Sequence, residues 1–151
     1  MVFMTESASA ALKHATPLDP PLPSGREAMR WARLYGCALS LAAARAASAH
    51  SSLTLVVCPD SAGADRLCEE IQFFARGENN LSVTKFPDWE TLPYDHFSPH
   101  QDIISERLRG LDALRNAGQN VVVVPVGTLM TRTCPASFLT RYAFGIRVGQ
   151  R

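Results

Sequence analysis

Two short apolar runs, Leu53-Thr-Leu-Val-Val-Cys58 and Val121-Val-Val-Val-Pro-Val126, decide what this chain can fold into. Both are rich in β-branched residues and lack the polar alternation of a strand with one wet face, so each predicts a strand buried on both faces. Helical patterns separate them. Pro59-Asp60-Ser61 ends the first run and caps a helix with Ala64, Leu67, Cys68, Ile71 and Phe74 at three- and four-residue spacing, ending near Gly77. Leu81 to Phe86 predicts another strand. Asp102 opens a helix with Ile103, Leu108, Leu111 and Leu114 on or near one face, and Gly118 stops it. Strands alternating with helices imply a parallel sheet with right-handed crossovers, a three-layer α/β domain.

The flanks are less regular. Ser24-Gly25-Arg26-Glu27 fits a capping box and predicts a helix to about Leu34; Gly36 breaks it, and Ala38 to Ala49 predicts a second, alanine-rich helix. Residues 1–23, rich in Ala, Ser, Thr and Pro, read as a flexible leader without the charged end and apolar core of a secretory signal. Gly127 to Arg132 and Ala136 to Leu139 read as short helical turns, and Tyr142 to Val148 alternates as a strand does. No internal repeat is present.

At 151 residues, with 46% apolar and 19% charged residues, the chain suits one compact core. A net charge of +1 gives no reason to expect strong attraction to nucleic acid or a membrane surface. No run approaches the roughly 20 apolar residues of a membrane span. Thirteen of the basic residues are arginine and only Lys13 and Lys85 are lysine, a bias that suits planar ion pairs and protein interfaces. Cys37, Cys58, Cys68 and Cys134 show no CxxC pair, and we read them as reduced thiols of a cytoplasmic protein.

Asp88 to Gln101 has no simple periodicity. It concentrates Pro93 and Pro99 just after Pro87, three aromatics (Trp89, Tyr94, Phe97) and the acids Asp88, Glu90 and Asp95, with Asp102 beyond. Proline presets φ and restricts its predecessor, so a stiff loop is expected. Its aromatics have two available roles, filling the underside of the loop or anchoring a partner or neighbouring domain. The acids disfavour contact with a phosphate backbone. Arg107, Arg109 and Arg115 are expected on the solvent face of their helix, or else in an interdomain or DNA-facing basic patch. His96 and His100 lie four apart but flank Pro99, which removes them from a single helix face and favours capping and loop hydrogen bonds over metal binding. Ser98 and Ser105 could join them in a hydrolase constellation, but no strand-turn-helix elbow supports a nucleophile. No catalytic residue and no metal ligand is assigned.

A phosphate site in such a fold belongs where a glycine-rich loop opens a helix, and Gly36-Cys-Ala-Leu-Ser-Leu-Ala-Ala43 is the candidate. A working P-loop laid over Gly36 needs glycine at Leu41, lysine at Ala42 and a hydroxyl at Ala43. All three are absent, so neither nucleotide cofactor binding nor ATP hydrolysis is expected of this chain alone.

Asp88-Trp-Glu-Thr-Leu-Pro-Tyr-Asp95, Phe97-Ser-Pro-His-Gln-Asp-Ile-Ile-Ser105, Pro125-Val-Gly-Thr-Leu-Met130 and Cys134-Pro-Ala-Ser-Phe-Leu139 occur in an order that resembles the amino-terminal module of the bacterial transcription-repair coupling factor family. The likeness runs from about Gly25 to Arg151. It implies a domain similar to the excision-repair helicase UvrB, a helicase-like α/β fold that has lost its nucleotide-binding loop, and a bacterial cytoplasmic setting. Pro59 to Glu70 occupies the place of a DNA-contacting helicase motif of UvrB. The resemblance further implies a parent protein that displaces RNA polymerase stalled at DNA lesions. ATP and magnesium would serve a translocase motor elsewhere in that protein, and DNA would be engaged by that motor. RNA polymerase would bind an intermediate domain, and UvrA a repair-recruiting insert that follows the present segment. Residues 24–140 then form the first part of the UvrB-like domain and 141–151 the opening strand of the recruiting one. The expected role of the segment is a non-catalytic scaffold packed against other domains of its own protein. The alternative is a lobe that binds nucleotide or DNA through its arginines.

Overall fold

Four consecutive valines at the centre of one strand give the molecule both of its cores. The computed structural model of the protein describes residues 12–14, 16–26, 28–50, 52–77, 81–92, 94–115, 118 and 120–142. Within them Asn120–Pro125 (β5) lies between Thr54–Cys58 (β3) and Ser82–Lys85 (β4), all parallel, in the order β3-β5-β4. Thr54 pairs with Val121 and Ser82 with Asn120, which sets the register on each side. Side chains alternate across a strand, so Val121 and Val123 face one way and Val122 and Val124 the other. Val121 and Val123 enter a core with Ala44 and Ala47 of helix α1 (Ala38–Ala49) and Ala64, Leu67, Cys68 and Ile71 of α2 (Ser61–Ala75). Val122 and Val124 pack with Phe86 beneath Leu111 and Ala113 of α3 (Gln101–Arg115). The result is the expected three-layer α/β arrangement.

Local chemistry explains the helices. Asp60 caps α2 by accepting the Gly63 N–H at 2.7 Å, as the Pro-Asp-Ser sequence predicts. Alanines make α1 narrow enough to lie against α2, and Ala42, Ala44 and Ala47 are fully buried there. Two short helices follow β5, α4 (Val126–Leu129) and α5 (Ala136–Tyr142), and Leu139 of α5 is buried.

Three expectations need correction. The Leu53 to Cys58 run is not buried on both faces: β3 is an edge strand, its Thr54 to Val56 are half-buried, and Val57 is exposed. The valines of β5 occupy the one central position available. The capping-box helix from Ser24 to Leu34 does not form. Gly25, which would be its first residue, has φ +67°, and Arg33 has φ +63°. Instead Arg30–Ala32 (β2) pairs in parallel with Leu12–His14 (β1), and the Trp31 indole donates to the Pro21 carbonyl at 3.0 Å. The third is the solvent-facing Arg107, which is buried instead, for reasons set by the loop beyond β4. β1 and β2 thus pair across the 23/24 boundary read from sequence, and α5 runs across that at 140/141. Beyond Tyr142, the strand expected to Val148 lies outside the described residues.

Helix α3 comes close to β4 only because of a glycine. A Cβ on Gly110 would lie 2.6 Å from Cδ2 of the Phe86 ring, which is 3% exposed and boxed in. Gly110→Ala gains up to about 1 kcal/mol of helix propensity and forces overpacking that costs about 1–3 kcal/mol. Net destabilisation is the expected outcome, read as a lower midpoint in urea unfolding with an unchanged slope; a raised midpoint would refute this account of the contact.

Candidate interface at the proline-rich loop

The chain leaves β4 through Phe86, whose N–H donates to the Val123 carbonyl at 2.8 Å. Arg107 of α3 then fastens the start of the loop. Its guanidinium carbon lies 4.4 Å from the centre of the Phe86 ring and 4.1 Å from that of Trp89. Its Nη1 donates to the Pro87 carbonyl at 2.6 Å. Arg107 is 3% exposed, which corrects its expected solvent-face position: the charge is withdrawn from water and spent on two aromatic faces and one carbonyl. Burial pushes the guanidinium below its ordinary pKa while the charge of Asp88 opposes that shift, and arginine keeps its proton in any case. Asp88 also accepts the Trp89 N–H at 2.9 Å. Of the two roles open to the aromatics, Trp89 therefore takes the inward one.

The other two point outward. Leu92, Tyr94 and Phe97 are 77%, 102% and 78% exposed, a concentration of large apolar side chains matched nowhere else in the described loops. The Asp95 N–H donates to the Leu92 carbonyl at 3.1 Å, closing a turn whose third residue, Tyr94, has φ +75°. Such a turn calls for glycine or asparagine at that place, and Glu90 also has a positive φ, +57°. Each left-handed non-glycine residue costs of order 1 kcal/mol. The loop ends where His100 caps α3: its carbonyl accepts from Ile104 at 3.2 Å, and its Nδ1 accepts the Asp102 N–H at 3.3 Å. His96 and His100 are both exposed, and among the described residues no group of three His, Cys, Asp or Glu could hold a metal ion.

Arg109 is not part of this surface. It lines a cleft of about 350 Å³ over the outer edge of β4, with Asp65, Glu69, Lys85 and Glu106. Lys85 contacts Asp65 at 2.7 Å and Glu106 at 3.8 Å. Burial alone lowers the Lys85 pKa, but the hydrogen bond and charge of Asp65 outweigh it with help from Glu106, and the net shift is upward.

The segment read from sequence as a degenerate phosphate loop, Gly36 to Ala43, lies elsewhere again. Gly36 has φ +56° and open space around it, Cys37 precedes α1 without a side-chain cap, and the strand before it, β2, belongs to the small sheet. Ala42, at the place of the P-loop lysine, is 0% exposed. Leu41 and Ala43 are half-buried, Ala43 packing against the core around α2. Ser40 is 0% exposed and its hydroxyl donates to Glu70 of α2.

Sequence reasoning missed the partnership of Arg107, Gly110 and Phe86. The signal was present: Arg107 falls four residues after Ile103, three before Gly110 and four before Leu111, on the apolar stripe and not opposite it.

The chain is 42% identical over 131 residues to a transcription-repair-coupling factor of Escherichia coli (strain K12), a match covering 87% of this chain and 11% of that protein. It is 42% identical over 112 residues to the one of Haemophilus influenzae, covering 74% and 9% respectively. Against that of Myxococcus xanthus it is 32% identical over 124 residues, covering 78% and 10%. It therefore spans about a tenth of the length of the curated relatives it matches. No protein-family model matches it.

Arg107→Ala removes a buried charge-assisted hydrogen bond, leaves the Pro87 carbonyl unpaired and separates two rings from their cation. The expected loss is about 2–4 kcal/mol in urea unfolding, with Trp89 emission shifted to the red. Arg107→Lys keeps the charge but not the planar stack and should lose about half as much. Equal stability of all three proteins would show that the sandwich holds nothing.

Proposed function

This chain belongs to the transcription-repair-coupling factor family, and from that premise we propose that it serves such a factor as a non-catalytic scaffold and interaction domain from its amino-terminal part. The parent protein would be an ATP-dependent DNA translocase that displaces RNA polymerase stalled at lesions and recruits nucleotide excision repair through UvrA. ATP and magnesium would act at its motor. RNA polymerase, UvrA and DNA would be engaged by other parts of the longer polypeptide. What the present residues supply is a rigid α/β body with the outline of a helicase lobe, packed against its own neighbouring domains in the bacterial cytoplasm. Four free cysteines suit that compartment. No described helix is long and apolar enough to cross a membrane.

The observation that supports this reading most is Ala42. Phosphate binding at a helix start needs exposed backbone amides, a lysine reaching the β and γ groups and a hydroxyl for magnesium. Here the lysine position is a methyl group packed into the core, and the nearest hydroxyl, that of Ser40, is engaged by Glu70.

Calorimetric titration with magnesium-ATP tests it. No saturable heat is expected at millimolar nucleotide, and saturable binding would overturn the scaffold reading. Duplex DNA titrated in parallel should show no binding that weakens linearly in log–log salt plots; a slope of several units would move the arginine-lined alternative to the front.

A further inference from the structure

We propose, resting on the scaffold reading above, that the loop from Asp88 to Asp102 is a docking surface whose occupant is a basic, apolar-tipped surface on another domain of the same longer polypeptide. Three observations meet here. The first is exposed apolar area: Leu92, Tyr94 and Phe97 stand almost wholly in solvent, in a loop that is short of any core of its own. Rigid aromatic tips of this kind anchor protein interfaces because they bring large contact area at low entropic cost.

The second is charge. From Phe86 to Glu106 the sequence holds no lysine or arginine; of its five acids Glu106 faces Lys85 in the β4 cleft, and Asp88, Glu90, Asp95 and Asp102 belong to the loop. Arg107, next in sequence, is buried and turned to Pro87. Single-stranded nucleic acid also stacks on aromatic side chains, but it requires a positive groove to follow its backbone. An acidic rim repels phosphate and favours lysine and arginine. The complement is a basic protein surface.

The third is preorganisation. Arg107 bolts the base of the loop to α3, and Tyr94 holds a left-handed conformation that a glycine would occupy without strain. A tyrosine there, 102% exposed, makes sense when its ring meets something outside the domain. A surface fixed before binding loses less freedom on binding. The same-chain assignment follows from length: a protein like the Escherichia coli relative has most of its residues beyond this segment. Tethering presents them at an effective concentration of the order of millimolar.

The test uses the full-length polypeptide with Phe97→p-benzoyl-L-phenylalanine, irradiated, digested and read by mass spectrometry, in an equal mixture of ¹⁴N- and ¹⁵N-labelled protein. Expected are cross-links within one isotopic species, to a segment outside this domain with lysine or arginine beside the attachment point. Their yield should fall severalfold in the double variant Glu90→Arg, Asp95→Arg, and in about 0.5 M salt, where the screening length is only about 4 Å. Both exposed substitutions leave the core untouched, and circular dichroism with a thermal melt checks that. Leu92→Ser, which alters no charge, should lower the yield as well. Absence of cross-links, attachment to an acidic segment or to DNA, linkage between isotopic species, or a yield indifferent to charge reversal would each overturn the proposal. The nucleotide titration is unaffected by any of these outcomes, so a failed docking site and a failed scaffold reading are told apart.

Discussion

A guanidinium held between two aromatic rings determines where the long loop can go. Remove it, and nothing else among the described contacts joins the residues after β4 to α3 at Trp89. Its position depends in turn on Gly110, one helical turn further along, which lets α3 approach Phe86 closely enough for the stack to form. Phe86 receives its own place from β5, through the hydrogen bond to Val123 and the contacts of Val122 and Val124. Strand, ring, arginine and loop thus form one chain of dependence, from the most buried residues of the molecule to its most exposed. A buried cation is costly unless it is satisfied. This one is satisfied by groups that the sequence places within a few residues of the end of β4, which is why the base of the loop is held against α3.

How much of this the sequence disclosed depends on the kind of information each part needs. The β5 strand, the capped helix α2 and the alternation that makes a parallel sheet are written in local patterns, and they were legible. The edge position of β3 was not, because a run of apolar β-branched residues reads the same whether one or two neighbours pair with it. The helix expected after Ser24 failed for the reverse reason. The capping-box pattern is local, but Gly25 and Arg33 adopt left-handed conformations and Arg30 to Ala32 find a partner strand some eighteen residues earlier. Tertiary pairing overrode a short, weak helical signal.

The site shows the same division. Proline content announced an irregular loop between β4 and α3, a reading that needed only residue identities. Which aromatic turns inward could not be read, since Trp89, Tyr94 and Phe97 are equivalent until Arg107 selects one of them. Arg107 itself was assigned to solvent on the usual behaviour of charged residues, although its place on the apolar stripe of α3 pointed the other way. An arginine on such a stripe, beside a glycine and facing an aromatic pair in the preceding loop, is a pattern worth weighing against the surface default.

The two edges of the sheet are treated differently. At the β4 edge, Gln72 donates to the Val83 carbonyl at 3.3 Å and Lys85 is paired with Asp65, so an outward backbone group is occupied and the strand is flanked by charge. These are the devices by which proteins keep an edge from pairing with another strand. At the β3 edge the described residues differ: Thr54 to Cys58 includes no charged residue, and Val57 is exposed. Among the described residues, one edge of the sheet is thus flanked by charge and the other is apolar. Together with the acidic, aromatic loop, that asymmetry fits the proposed role of a body covered by neighbouring domains, since an edge left open to water is stable against self-pairing once something else covers it.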